Sequence, residues 1–138
     1  MDVQVNLWAV LAATASALVV GSIWYSPAVF AKRWVKLARI DTSKGSSIAK
    51  PIAITIVVSL LTAYILAHVA FLSHQFFHHS FLQDSLDTAF WLWLGLSGAR
   101  FVTHDAFEGR PAELTAINVG CELVTLMLMG LIIGVIGV

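Results

Sequence analysis

The sequence predicts an all-α polytopic membrane protein with four transmembrane helices and one short amphipathic interfacial helix after the first. Three observations carry that reading. Hydrophobic residues make up 59% of the 138 and charged residues 12%, against the ~25% charge of an ordinary soluble domain, so lipid is the solvent that fits. Four stretches reach the roughly 20 mostly apolar residues needed to cross a hydrocarbon core about 30 Å thick. Lysine and arginine concentrate between the first two stretches. The same composition excludes a disordered chain. Eight acids against eight Lys plus Arg leave no net field for nucleic acid, and the single cysteine, Cys121, excludes an internal disulfide or a cysteine-based zinc site.

The first span runs from about Val3 to Tyr25 without a formal charge. Only Asp2 precedes it and it is long enough to cross, so it reads as a retained helix and not a cleaved signal. Ser26 and Pro27 then give a hydroxyl cap and a proline at the first helical position, predicting an interfacial helix over 27–40. Phe30, Trp34 and Leu37 share one side of it, and Lys32, Lys36 and Arg39 the other, with Arg33 beside them. Its cations suit anionic headgroups, and Trp24, Tyr25 and Trp34 suit the membrane interface. Asp41 to Ser47 reads as a short flexible linker.

The second span runs from about Ile52 to Ser73. The third, from about Ser85 to Phe107, holds Arg100, His104 and Asp105; the fourth, from about Ala112 to Ile136, holds Glu113 and Glu122. Together they make residues 1–138 a single transmembrane domain. Orientation follows from Lys and Arg near the spans. Lys32, Arg33, Lys36, Arg39, Lys44 and Lys50 fall in one loop, the loop from His74 to Asp84 has no such residue, and Arg100 and Arg110 lie on the same side as the basic loop. The expectation is a multi-pass protein of the inner membrane with that loop cytoplasmic and both termini outside.

Ionisable groups at membrane depth invite a functional hypothesis with a named partner. Glu122 lies about 15 Å along the fourth span and Arg100 about 10 Å in from Phe107, so depth predicts that they pair, with Asn118 and His104 extending the network. Two readings stay open: an ion pair that fixes helix register, or a polar cavity open to the cytoplasm that takes an ion, a proton or a small polar solute. His74, His78 and His79 are weak metal candidates, because interleaved phenylalanines make an interfacial loop the simpler account. No cofactor is expected: His68 and His104 fall at opposite depths and cannot share a haem. A thiol in apolar surroundings is inert, and no nucleophile elbow, HExxH pair or phosphate-binding loop occurs, so no enzymatic activity is expected.

Small residues recur one turn apart at Ala9, Ala13, Ala17 and Gly21, at Gly95 and Gly98, and at Gly130 and Gly134, predicting close helix packing within the bundle or between subunits. Trp91 and Trp93 read as a surface turned to lipid or to a partner.

The run Gly21, Trp24, Tyr25, Ser26, Pro27, Phe30 and Trp34, with Phe107, Glu108, Gly109, Arg110 and later Ile117, Asn118, Val119 and Gly120, resembles a small bacterial integral-membrane family of unknown function with the signature GxxWYSPxxFxxxW. The resemblance implies a four-helix membrane protein and no established activity. The expected function is a structural or accessory membrane protein whose partners are the bilayer and other subunits or itself. The alternative is a small channel, transporter or solute-binding protein using Arg100, His104, Asn118 and Glu122.

Overall fold

The computed structural model describes residues 3–41 and 47–137; most of the expected linker, with Lys44, lies outside them. Six α-helices and one π-helical segment follow in order: α1 (Leu7–Trp24), α2 (Ala31–Leu37), α3 (Ala49–Phe77), α4 (Phe81–Leu92), the π segment (Trp93–Gly98), α5 (Ala99–Phe107) and α6 (Ala112–Ile136). Among the described residues there is no strand. The Asn6 side chain caps α1 by accepting from the Trp8 and Ala9 amides at 3.0 and 3.4 Å, and Ser80 caps α4 through the Gln83 amide, each satisfying donors that a helix start leaves open. His78 ends α3 in the left-handed conformation (φ 59°).

Three helices, α1, α3 and α6, are long and apolar enough to cross a membrane, where four spans were expected. The stretch expected as the third span, from about Ser85 to Phe107, lies in a helical run from Phe81 to Phe107 whose ladder changes register at the π segment, leaving 12 residues in α4 and 9 in α5. Gly95 and Gly98 give that segment little helix propensity, and the Trp93 ring lies 3.4 Å from where a Gly98 side chain would begin. This broken helix runs antiparallel along α6 for its whole length. Leu82 meets Gly134, Ser85 and Ala89 meet Gly130, the Trp93 indole donates to the Val119 carbonyl at 3.1 Å, and Asp105 accepts from the Thr115 hydroxyl at 2.7 Å.

The core joins Ala9, Val10, Ala13 and Ala17 of α1, Ala63, Leu66 and Ala67 of α3, Ala89 of α4, and Leu126, Met129 and Ile133 of α6. Small residues on α1 let α3 and α6 approach its backbone, the packing that substitutes for a hydrophobic drive between helices in lipid. Among the described residues one buried side-chain polar atom is left over. The Ser85 hydroxyl has no hydrogen-bond partner and sits beside Gly134, and a buried group without a partner carries its full desolvation cost. Ser85→Ala is therefore expected to leave thermal stability unchanged or raise it by about 1 kcal/mol, read from melting in detergent.

Ser26 and Pro27 do not open the interfacial helix. They form a turn in which the Val29 and Ala31 amides both donate to the Ser26 carbonyl at 3.1 Å, and helix begins only at Ala31. The Phe30 amide meanwhile donates to the Trp24 carbonyl, so the chain folds back on the end of α1 before α2 starts. At the other side Arg39, with φ 54°, closes α2 short of residue 40.

Candidate functional site

The residues of the signature converge at the end where α1 stops and α6 starts. Trp24 packs against Phe30 with ring centroids 4.9 Å apart, and Tyr25 against Trp34 at 5.2 Å. The polar edges of three of these rings reach α6: the Trp24 indole donates to the Ile117 carbonyl at 3.0 Å, while the Tyr25 hydroxyl and the Trp34 indole both donate to the Asn118 side-chain oxygen at 3.1 Å. Gly120 completes the contact, since a Cβ there would lie 3.2 Å from the Trp24 ring. Two motifs about ninety residues apart thus form one joint. Trp24, Tyr25 and Trp34, expected to face headgroups, direct their polar atoms at α6, because α2 folds back under the bundle. Lys32, Arg33, Lys36 and Arg39 remain exposed on the other face of the turn. Arg33 reaches Glu113 in an exposed ion pair; the hydrogen bond from that pair raises the guanidinium's pKa, so Arg33 stays charged.

Beside this joint, α1, α3 and α6 enclose a crevice of about 330 Å³. Glu122 lies in it with the hydroxyl-bearing side chains of Tyr25, Thr55, Ser59, Thr62 and Thr125. The crevice exists because the first buried residue of α3 is Ser59; the ten before it, 49–58, are exposed, and Ile54, Thr55 and Val58 among them border the crevice.

The expected cluster of Arg100, His104, Asn118 and Glu122 is divided. Asn118 belongs to the joint and Glu122 to the crevice, whereas Arg100 and His104 border a separate recess on α5 with Asp105, Glu108 and Arg110. Among the described residues no ion pair joins Arg100 to Glu122. The reason is azimuth, not depth. Val102 and Ala106 are the α5 residues that line its groove with α6, and Arg100, two residues from Val102, lies about 200° around the helix from it. Sequence reasoning missed the contact that does form there: buried Asp105 accepts from Thr115 and lies 3.7 Å from Arg110.

At the opposite end, buried Asp84 in the first turn of α4 is flanked by two histidines. The Nδ1 atoms of His74 and His79 lie 2.8 and 3.1 Å from its two oxygens, and a carboxylate at a helix N-terminus is also favoured by the dipole. His78 is taken up in ending α3. Among the described residues no group of three or more His, Cys, Asp or Glu side chains is arranged to hold a metal. Asp84 stands ten residues after His74 and five after His79, neither of them a helical repeat, so no spacing rule pointed to it. Trp91 is exposed, but Trp93 turns inward to Val119.

Of the small residues, Ala9, Ala13 and Ala17 are buried, and Gly130 and Gly134 lie against α4. Gly98 meets only Trp93, while Gly21 and Gly95 have nothing within 4 Å of where a side chain would begin.

A family model described as "Protein of unknown function (DUF1761)" matches residues 8–134. The chain belongs to the DUF1761 family. The match reaches from the second residue of α1 to within two residues of the end of α6 and includes both halves of the aromatic joint. No curated protein and no solved structure matches this DUF1761 chain.

Proposed function

We propose that the chain is an integral membrane protein of structural or accessory type, acting as a subunit of a homo- or hetero-oligomeric membrane complex. The observation that carries this reading is the aromatic joint: the ring donors of Trp24, Tyr25 and Trp34 are all spent on the Ile117 carbonyl and the Asn118 side-chain oxygen. A signature consumed by internal contacts holds a shape in place. The free first ten residues of α3 support a partner beside them, since helices in lipid gain stability by packing on other helices. The division of Arg100 and His104 from Asn118 and Glu122 argues against a polar path built from those four.

In this reading the broken helix from Phe81 to Phe107 makes a fourth passage, because it accompanies α6 from Gly134 to Thr115. Four passages put both termini on one side. Lys32, Arg33, Lys36 and Arg39 of the α2 turn, with Arg110, then mark the other side as cytoplasmic, facing anionic headgroups of the inner membrane. Gentle detergent extraction followed by mass measurement of the intact particle tests the proposal. A fixed stoichiometry of more than one chain is expected; a uniform single-chain particle overturns it.

A further inference from the structure

We propose that the crevice between α1, α3 and α6 binds a small organic cation, an alkylammonium whose nitrogen rests at Glu122 and whose carbon chain lies on the apolar wall. Among the described residues Glu122 is the single ionisable carboxyl group in the lining, and no Lys, Arg or His shares it. Among the described residues no ion pair engages Glu122 either. A carboxyl group drawn partly out of water either keeps its proton or gains from a countercharge brought to it.

Hydrogen-bonding chemistry selects a donor. The Thr55 hydroxyl already gives its proton to the Pro51 carbonyl at 2.9 Å, and the Tyr25 hydroxyl gives its own to Asn118 at 3.1 Å. Both oxygens therefore offer lone pairs and no proton to a guest. One carboxylate and two oxygens restricted to accepting match an ammonium group, which carries only donors. An anion would meet a carboxylate and, among the described residues of the lining, no cation.

Size and surface select an organic cation over a bare ion. About 330 Å³ falls in the range of small-molecule sites, and Ala17, Val58 and Leu126 supply an apolar wall beside the polar one. The exposed first turns of α3 leave one flank open for entry. This inference does not depend on the assembly proposed above.

The test is calorimetric titration of n-butylammonium chloride into the full chain in lipid nanodiscs at neutral pH. Saturable binding is expected, weakened at least about tenfold in Glu122→Gln, the usual scale for losing one partner of a desolvated charge pair. Its neutral counterpart 1-butanol should fail to compete. Should Glu122→Gln not fold, Val58→Trp fills the crevice from an exposed position and must abolish binding. Absence of saturable binding to the parent chain, equal affinity in folded Glu122→Gln, competition by 1-butanol, or undiminished binding in Val58→Trp each overturns the proposal.

Discussion

Gly130→Leu is expected to separate α4 from α6 and abolish the folded bundle. A Cβ at position 130 would lie 2.8 Å from the Ala89 Cβ and 3.0 Å from the Ser85 carbonyl oxygen. Neither atom belongs to a side chain that can rotate away, so the helix backbones themselves must move. Even Gly130→Ala should cost about 1–3 kcal/mol, the usual range for overpacking a close contact, and leucine adds three further carbons at the same point. Gly134 repeats the geometry one turn on, with its Cβ position 2.8 Å from the Leu82 Cα, so the two glycines act as one seam. Gly21→Ala is the control. Nothing lies within 4 Å of its Cβ position, and alanine in a helix interior favours the helix by up to about 1 kcal/mol over glycine. Melting curves followed by far-UV circular dichroism in one detergent compare the three. If Gly130→Leu melts with the parent chain, the α4–α6 seam does not hold the bundle together.

Asn118→Leu should undock the α2 turn while leaving the rest of the bundle helical. The substitution removes the oxygen that receives both the Tyr25 hydroxyl and the Trp34 indole. Each donor left without a partner costs about 1–3 kcal/mol when buried; both rings are half-buried, which places the combined loss at the lower end, about 2 kcal/mol. The local readout is tryptic cleavage at Lys32, Arg33 and Lys36, which should quicken once Trp34 no longer anchors α2. A double-mutant cycle separates this contact from general damage. Trp34→Phe should destabilise the parent chain and have little further effect in the Asn118→Leu background. Additive losses would show that Trp34 and Asn118 do not work as a pair.

The signature was legible as a corner long before its purpose was. Trp24, Tyr25, Ser26 and Pro27 announce the end of an apolar helix by residue type alone. That the aromatics turn onto Ile117 and Asn118 was not legible, because the partner lies more than eighty residues away and neither a carbonyl nor a lone asparagine has a sequence pattern. The glycines show the same division. Spacing marked Gly21, Gly95, Gly98, Gly130 and Gly134 alike as packing sites, yet only the last pair faces a neighbouring backbone.

Composition and apolar run length alone established a helical chain with segments suited to lipid, and counting along those segments placed Glu122 and Arg100 at comparable depth. Depth is readable because each residue adds a constant rise of about 1.5 Å. Azimuth is not, since the direction a helix turns depends on which neighbours it meets and at what crossing angle. Tertiary packing therefore decided that Glu122 lines a crevice with Thr55 and Tyr25, that Arg100 borders a separate recess on α5, and that the expected third span is interrupted by a π segment at Trp93–Gly98.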